Sequence, residues 1–494
     1  MEHAHFVQGA LIARMPAAVN TVAAKTTKYS ATAESLSSHE APEWFRDAKF
    51  GIFIHWGPYS IPAFAPKHSQ IDQLDASDER HGFANTPYAA WYQNTMLFEE
   101  SPTAAYHRET FGEDYSYDHF GQDFNDALEA WDPVSWARLF KSSGARYVVL
   151  VTKHHDGFAL WPSDVPNPNK PGWHTTRDVV GELAAAVRAE GLKFGVYYSG
   201  GVDWTFKHKR IESFVDFMTS MPGDAEGYSA YANAQYEELI ERYQPDYLWN
   251  DIAYPHAQDS FDIIAKYYNT VPDGLTNDRW ITPDGQLPEG AFDKPEGLTG
   301  LLPPMPQVWD TRTPEYGMFD RILPFLWETT RGMGHSFAYN RNETDEDYIS
   351  RDGIVSMLAR SACFNGNVLL NVGPRGDTII PPGQASRLEA VGAWLGLAGV
   401  AVQDTRSVQL AERDVDGIAI GATQNGNNLY IHLFGVPRGK SITVELPDGV
   451  SDVISARQLG GDLTEWSVDD GRLTATVPAW ADSAVQVIAL ELPA

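Results

Sequence analysis

The sequence predicts an α/β fold in which a (β/α)8-like barrel is followed by a C-terminal antiparallel β-sandwich domain. Eight short apolar or aromatic runs recur between residues 49 and 374, and several of them end in polar or titratable residues. Helical patterns separate several of these runs, and strands that alternate with helices are typical of a parallel sheet. Beyond residue 399, alternating stretches separated by turn signals such as NGNN and DDGR indicate antiparallel strands.

The length of the chain favours more than one domain. A single hydrophobic core stops growing at roughly 250–300 residues, and the chain has 494. We expect an N-terminal extension over 1–40, the barrel over 41–399 and the β-sandwich over 400–494. The extension is rich in Ala, Thr and Ser and has no sustained period. The sandwich segment has no tight cluster of aromatic residues, so we expect it to pack against the barrel.

The strands of the barrel are predicted at the eight runs. They are KFGIFIHWG (49–57), RYVVLVTKHHDGF (146–158), LKFGVYYSGG (192–201), DYLWNDIAY (246–254), GLTNDRW (274–280), QVWDT (307–311), HSFAYN (335–340) and NVLLNVGP (367–374). The helical patterns between them include DVVGELAAAVRAEG (178–191), SAYANAQYEELIERYQ (229–244) and DYISRDGIVSMLARSACF (347–364). Side chains at the C-terminal ends of barrel strands converge on one mouth. We therefore expect one pocket to collect the residues at these ends, which are His55, His154, His155, Asp203, Trp204, Asp251, Arg279 and Asn340.

The charge of the chain argues against several classes of partner. Lys and Arg number 37 against 66 Asp and Glu, which gives a formal charge of −29. A field of this sign repels phosphate backbones and anionic membrane surfaces, so neither nucleic acid nor a membrane is an expected partner. The first apolar stretch is interrupted by Arg14 and lacks the pattern of a signal peptide, so we expect a cytoplasmic protein. Whether the chain forms a homo-oligomer stays open.

The single cysteine and a pair of adjacent histidines have structural as well as chemical interpretations. Cys363 lies in the mostly apolar stretch MLARSACF, which is typical of a buried helix face. The run His154-His155-Asp156 by itself suggests a metal site. However, adjacent strand residues point to opposite faces, so His154 and His155 do not easily bind one metal unless the strand ends there. We expect neither a metal nor any other cofactor.

The segment around Asp251 carries the most specific signal. Its carboxylate follows the apolar run YLW, and Trp249 and Tyr254 supply aromatic surface for a sugar ring. The segment LWNDIAYP resembles the nucleophile motif of glycoside hydrolase family 29, the α-L-fucosidases. The resemblance spans roughly residues 43–400 and includes AKFGIFIHWGPYSIP (48–62), YVVLVTKHHDGFALWPS (147–163), FGVYYSGGVDW (194–204), NDRW (277–280), GHSFAYNRNE (334–343) and NGNVLLNVGPRGD (365–377).

This resemblance implies a retaining exo-α-L-fucosidase that hydrolyses terminal α-L-fucosides, of a fucosylated glycan or a small fucoside, through a covalent glycosyl-enzyme intermediate. Asp251 is the implied nucleophile. The residues implied to bind the sugar are His55, Tyr88, Trp91, His154, His155, Tyr198, Trp249 and Arg279. For the tyrosine of the pair Tyr197-Tyr198 that lines the ring, we choose Tyr198. No cofactor is implied.

The implied general acid is Glu315, because WDTRTPEY (309–316) is similar to a family motif that carries the acid/base Glu. A retaining glycosidase needs two carboxyl groups about 5–5.5 Å apart. The segment 281–306 lengthens the distance in sequence from Arg279, and it is either a lid over the pocket or an ordinary surface loop. The alternative acids are Asp310, Glu296 and Glu289.

One departure from the family pattern leaves the specificity open. Many relatives have a Glu directly before the Trp that corresponds to Trp91, and here this position is Ala90. A polar contact to the sugar or to the leaving group is therefore missing. The alternatives are a related hydrolase that prefers another L-sugar, such as an α-L-galactoside, and an inactive sugar-binding barrel.

Overall fold

The computed structural model describes residues 28–67, 78–223, 227–435, 441–461, 465–477 and 484–493. Most of the predicted N-terminal extension, residues 1–27, lies outside the described residues. The part that is described joins the barrel domain, because Tyr29 and Asn269 exchange two backbone-to-side-chain hydrogen bonds. No helix in the described ranges is long and apolar enough to cross a membrane.

Eight parallel strands form one sheet that nearly closes into a barrel. They are β1 (Phe50–Ile54), β2 (Tyr147–Lys153), β3 (Lys193–Ser199), β4 (Tyr247–Asp251), β5 (Leu275–Thr276), β6 (Thr311–Arg312), β7 (Leu326–Gly332) and β8 (Gly366–Val372). Their order in the sheet is β5-β4-β3-β2-β1-β8-β7-β6. The amide of Asp310 donates to the carbonyl of Thr276 at 3.3 Å across the seam between β5 and β6. The predicted barrel is confirmed.

The seventh strand is not the one that the sequence predicts. The run HSFAYN (335–340) forms bends, whereas β7 lies nine residues earlier and reads LWETTRG. This strand was not predicted because its polar residues interrupt the apolar pattern of the other strands. Glu328 points into the barrel, where the hydroxyls of Tyr147 and Tyr247 donate to its carboxyl group. Burial raises the pKa of Glu328 to about 8, which favours the neutral form of this carboxyl group.

Helices surround the barrel and its mouth. They are α1 (Ala33–Leu36), α2 (Glu43–Ala48), α3 (Glu79–Ala84), α4 (Tyr92–Thr95), α5 (Pro102–Phe111), α6 (His119–Ala127), α7 (Pro133–Ser142), α8 (Val179–Ala189), α9 (Phe214–Thr219), α10 (Tyr228–Tyr243), α11 (Ala257–Thr270), α12 (Arg351–Cys363) and α13 (Pro382–Ala398). Short 3-10 turns lie at Pro58–Ser60, Ala89–Trp91, Leu128–Ala130, Asp345–Asp347 and Gly399–Ala401. The three helical patterns predicted from the sequence correspond to α8, α10 and α12.

Two antiparallel sheets follow the barrel. Their strands are β9 (Arg406–Val408), β10 (Asp414–Val415), β11 (Ile418–Asn425), β12 (Asn428–Phe434), β13 (Ser441–Glu445), β14 (Ser455–Gln458), β15 (Glu465–Asp469), β16 (Arg472–Thr476) and β17 (Val485–Glu491). One sheet has the order β10-β11-β12-β17-β14 with β9 on β11, and the other has the order β13-β16-β15. Side chains from both sheets, among them Ile431 and Leu473, share one apolar core, as a sandwich requires.

Helix α12 packs against the larger of these sheets. Cys363 at its end is buried, as expected from the sequence. A Cβ atom at Gly421 in β11 would lie 2.8 Å from the sulfur of Cys363, so only glycine allows this close approach. The predicted division at residues 399 and 400 falls just after α13 and stays a prediction.

Candidate active site

A cavity of about 370 Å³ lies at the C-terminal ends of the barrel strands. It contains nine of the ten residues that the family resemblance implies for the site, and Tyr198 is the exception. Asp203, Trp204 and Asn340, which were also expected there from their places at strand ends, do not line it. The residues that line it are Phe53, His55, Glu79, Phe83, Tyr88, Ala90, Trp91, His154, His155, Tyr197, Phe214, Phe217, Trp249, Asp251, Ile252, Arg279, Leu301, Glu315, Thr330, Ser336, Phe337 and Ala338. Its size is that of a small-molecule pocket.

Asp251 is the last residue of β4, and its carboxylate is held from three sides. Oδ1 accepts from Nη1 of Arg279 at 2.9 Å and from the amide of Ile252 at 2.9 Å, and Oδ2 accepts from the Tyr197 hydroxyl at 2.6 Å. Burial by itself would raise the pKa of Asp251, but the charge of Arg279 and these hydrogen bonds outweigh it, so the pKa lies below its usual value. The carboxylate is therefore ionised and fixed at neutral pH.

The backbone next to Asp251 is strained. Ile252 has φ +67°, a left-handed conformation that is unusual for a β-branched residue. This conformation lets the Ile252 amide turn back to donate to Asp251 and brings the Ile252 side chain to the pocket wall. Strain of this kind is found at sites where the surrounding structure fixes a functional group.

Glu315 faces the same guanidinium as Asp251 but has a different environment. Its Oε2 accepts from Nη2 of Arg279 at 3.3 Å, and its Oε1 accepts from the Tyr88 hydroxyl at 3.1 Å. Burial raises the pKa of Glu315 above its usual value, and the negative charge of Asp251 adds to the rise, although Arg279 opposes it. The two carboxyl groups share one arginine, yet their pKa values move in opposite directions.

Arg279 is positioned by its own partners. Its Nε donates to the Thr313 hydroxyl at 3.2 Å and its Nη2 to the Thr313 carbonyl at 3.3 Å. The guanidinium also lies over the ring of Trp249, 4.7 Å from the ring centre. These contacts fix the plane of the guanidinium, so that its two Nη atoms point to Asp251 and Glu315.

The backbone of Glu315 is braced on both sides. On one side, Glu315 and Leu301 exchange two backbone hydrogen bonds of 2.7 and 3.0 Å. On the other side, Thr330 of β7 donates to the carbonyl of Pro314 and accepts from the amide of Tyr316. The segment 281–306, which the sequence leaves open as a lid or a surface loop, thus contributes Leu301 to the pocket wall, while Phe292 of the same segment is exposed.

The three alternative acids lie outside the pocket. Asp310 directly precedes β6, and its carboxyl group forms hydrogen bonds with His39, with Tyr268 and with the amide of Thr276. Glu296 is exposed and pairs with Arg321, and Glu289 is exposed as well. Glu315 is the candidate acid that the structure brings to Asp251.

The pocket histidines are held in the neutral form. Burial lowers the pKa of His55 and of His155 to about 4 and that of His154 well below its usual value. Nδ1 of His55 lies 2.6 Å from Oδ1 of the Asn371 side chain, and this amide oxygen can only accept a hydrogen bond. Nδ1 of His155 lies 2.7 Å from the Ser199 hydroxyl, which itself donates to a backbone carbonyl. Both rings therefore carry the proton on Nδ1 and leave Nε2 as an acceptor for a hydroxyl group.

Tyr197, and not Tyr198, belongs to the pocket. Side chains on β3 alternate between the inside and the outside of the barrel. Tyr197 points inward, where its ring stacks on Trp249 with centres 5.4 Å apart. Tyr198 points outward, donates to Gln235 of α10 and packs in the layer between strands and helices. The choice of Tyr198 is corrected to Tyr197.

Several apolar pocket residues were missed in the sequence. Phe337 lies in the predicted run HSFAYN and stacks against His55 with ring centres 4.8 Å apart. Phe53 contacts His55 and Trp249 from β1. The ring of the predicted Trp91 meets the ring of His155 with centres 5.6 Å apart, and Ala90 lines the pocket beside it. The alternation of side chains along β1 could have identified Phe53, because residues two positions apart share a face and His55 follows it by two.

No group of three or more His, Cys, Asp or Glu side chains in the described ranges is arranged to hold a metal ion. The side chains of the pocket supply both acid–base and nucleophilic groups. They are an ionised carboxylate, a second carboxyl with a raised pKa, an arginine between them, neutral imidazoles and aromatic walls. Two carboxyl groups with opposed pKa shifts are the arrangement that separates a nucleophile from a proton donor.

Comparison with known proteins agrees with this chemistry. The alpha-L-fucosidase family profile matches residues 17–400. The human tissue alpha-L-fucosidase is 28% identical over 473 residues, which cover 93% of this chain and 90% of the relative. The structure of Thermotoga maritima alpha-fucosidase in complex with fucose is 37% identical, with a TM-score of 0.78, and the match covers 94% of this chain and 100% of that chain. A Thermotoga maritima alpha-L-fucosynthase in complex with alpha-L-Fuc-(1-2)-beta-L-Fuc-N3 matches with the same identity and coverage and a TM-score of 0.80. The chain therefore belongs to the α-L-fucosidase family of glycoside hydrolases.

Proposed function

We propose that the chain is a retaining exo-α-L-fucosidase that releases terminal α-L-fucose from fucosylated glycans or small fucosides through a covalent intermediate. The observation that carries the proposal is the Asp251–Arg279–Glu315 arrangement, in which one guanidinium contacts both carboxyl groups. The guanidinium lies 2.9 Å from the carboxyl group of Asp251 and 3.3 Å from that of Glu315. This favours an ionised Asp251 beside a protonated Glu315, which are the two states that the first chemical step needs.

In the first step, Asp251 attacks the anomeric carbon and Glu315 donates its proton to the glycosidic oxygen. The bond between the anomeric carbon and this oxygen breaks, and the aglycone leaves as an alcohol. The product is a β-linked fucosyl ester of Asp251. Arg279 loses part of its interaction with Asp251 as the carboxylate charge is consumed, and it then stabilises the ionised Glu315.

In the second step, the ionised Glu315 takes a proton from a water molecule that attacks the anomeric carbon. The ester bond to Asp251 breaks, and α-L-fucose is released with Glu315 protonated again. Two inversions at one carbon give net retention of configuration. The hydrogen bonds from Tyr197 and from the Ile252 amide to Asp251 stabilise it as a leaving group.

The shape of the pocket supports the removal of a single terminal sugar. Its floor consists of inward-pointing barrel side chains such as Phe53, Tyr197 and Trp249, so a glycan chain cannot pass through. The Nε2 atoms of His55 and His155 accept hydrogen bonds from ring hydroxyls. The aromatic walls suit the methyl group of fucose, but a hydrophobic pocket rejects an added hydroxyl only weakly.

A panel of nitrophenyl glycosides tests this proposal. We expect the α-L-fucoside to be the best substrate and the α-L-galactoside to have a kcat/KM about 10–200-fold lower, the range in which such pockets discriminate. We expect no turnover of the D-fucoside and D-galactoside, because their hydroxyls meet the histidines in the wrong arrangement. The Asp251→Asn variant, purified in parallel, controls for a contaminating hydrolase.

Two outcomes would contradict the proposal. A higher kcat/KM for the α-L-galactoside would support the related hydrolase for another L-sugar, for which the Ala90 substitution leaves room. Binding of fucose by the folded protein without turnover of any glycoside would support the inactive sugar-binding barrel.

A further inference from the structure

The rim of the pocket is apolar on the side that faces solvent. Phe214 and Phe217 of α9, Phe83 of α3 and Leu301 of the segment 281–306 all line the cavity. Phe214 is 61% exposed and Leu301 is 43% exposed. Large apolar side chains that stay exposed around a cavity mark a binding surface.

The position of Leu301 relates this rim to the leaving group. Leu301 and Glu315 are directly paired through two backbone hydrogen bonds. A general acid must reach the glycosidic oxygen, so the group attached to that oxygen departs past Glu315. Leu301 therefore lies beside the path of the aglycone, and not beside the fucose ring.

Helix α9 contributes Phe214 and Phe217 to the rim and is held there from two directions. Its Phe217 ring stacks against Trp91 with centres 6.0 Å apart. At its start, the Ser213 hydroxyl caps the helix and the amide of Phe214 donates to Glu79 of α3 at 3.0 Å. None of the α9 residues is fully buried. Phe214 and Phe217 line the cavity, and Phe217 also packs against the buried cluster that contains Trp91.

The charges at the cavity agree with an uncharged occupant. Among the described lining residues, Arg279 is the only Lys or Arg side chain, and it is committed to Asp251 and Glu315. An anionic aglycone would find no free cation there, while Glu79 would repel it. An apolar aglycone would cover Phe214, Phe217 and Leu301 and remove their surface from water.

We propose that Leu301, Phe214 and Phe217 form an aglycone subsite that selects α-L-fucosides whose leaving group presents an uncharged apolar ring. The inference rests on the proposed fucosidase function, and it assigns to α9 and to the segment 281–306 the choice of leaving group.

Two alkyl fucosides test the subsite without a change in the chemistry. Methyl and 2-phenylethyl α-L-fucoside release alcohols of similar acidity, so the demand on Glu315 is matched and only the apolar contact differs. We expect the wild-type kcat/KM to be about tenfold higher for the 2-phenylethyl fucoside. We expect Leu301→Ala and Phe214→Ala each to lower this ratio about threefold to fivefold, since each removes part of the apolar surface.

The control is Val215→Ala on the same helix. Val215 is 70% exposed and does not line the cavity, so the ratio should stay at the wild-type value. Leu301→Met should keep most of the preference, which separates a lost contact from a disturbed Glu315 backbone. An unchanged ratio in both Leu301→Ala and Phe214→Ala would overturn the subsite while leaving the fucosidase function intact. Failure of the folded wild-type protein to cleave any α-L-fucoside would remove the fucosidase function, and the subsite with it.

Discussion

Replacement of Asp251 with glycine is expected to lower kcat/KM for an aryl α-L-fucoside by about five orders of magnitude, the loss typical of a removed nucleophile. Azide is expected to restore turnover. The missing side chain leaves space beneath the anomeric carbon, where an anion can approach Arg279, which then lacks its closest partner. Direct attack by azide inverts the carbon once, so the product is β-L-fucosyl azide, identified by its proton NMR coupling.

The Asp251→Asn variant separates lost charge from created space. It should be as inactive as Asp251→Gly, but azide should not rescue it, because the amide fills the cavity that azide needs. Residual activity in Asp251→Gly within tenfold of the wild type would contradict the assignment of the nucleophile. Formation of α-L-fucosyl azide by Asp251→Gly would also contradict it.

Replacement of Glu315 with alanine is expected to have an effect that depends on the leaving group. For an alkyl fucoside, kcat/KM should fall by about three orders of magnitude, because the departing oxygen needs a proton. For a 2,4-dinitrophenyl fucoside the loss should be below about tenfold, since this leaving group departs as an anion. Asp251 still forms the intermediate, and azide then attacks it, so the product is α-L-fucosyl azide after two inversions.

The pH profile gives a second measurement of Glu315. Wild-type kcat/KM should rise as Asp251 ionises and fall as Glu315 loses its proton, and the falling limb should disappear in Glu315→Ala. Tyr88→Phe is a second variant that keeps the Glu315 carboxyl group but changes its pKa. The Tyr88 hydroxyl donates to Glu315 and lowers its pKa, so its loss should move the falling limb to higher pH. A Glu315→Ala variant with unchanged rates on alkyl fucosides would contradict the assignment of the acid.

The barrel could be predicted from the sequence because most of its strands are apolar on both faces. All residues of β1, β2 and β8 are buried, as is typical of parallel strands covered by helices. The strand β7 departs from this rule. Its Glu328 is satisfied by two tyrosines from other strands, and such partners are specified by the tertiary structure and not by the local pattern.

The choice between Tyr197 and Tyr198 shows a different limit. Both rings are buried, so hydrophobicity does not tell which one faces the pocket. The register decides it, because Tyr197 is paired with Trp249 and Ser199 with Asp251 on the neighbouring strand. Side chains paired in this way share a face of the sheet. The inward position of Trp249 and Asp251 thus assigns Tyr197 to the pocket once the pairing is known.

The proposed catalytic pair was predicted from motifs, whereas the rim was not. Asp251 and Glu315 lie in LWNDIAYP and WDTRTPEY, which resemble known motifs over several residues. Phe214 and Leu301 lie in segments whose path over the barrel is not encoded in a periodic pattern. Loops and short helices of this kind vary in sequence and often determine specificity. Their contribution to the rim of the pocket is therefore apparent only in the three-dimensional structure.

The stereochemical course of hydrolysis tests the central claim most directly. Proton NMR can follow the first turnovers of an aryl α-L-fucoside, before the fucose that is released mutarotates. Attack by Asp251 followed by attack of water predicts that α-L-fucose appears first and that the β-anomer grows in later. Initial appearance of β-L-fucose would mean a single displacement by water, and it would contradict the role of Asp251 as the nucleophile.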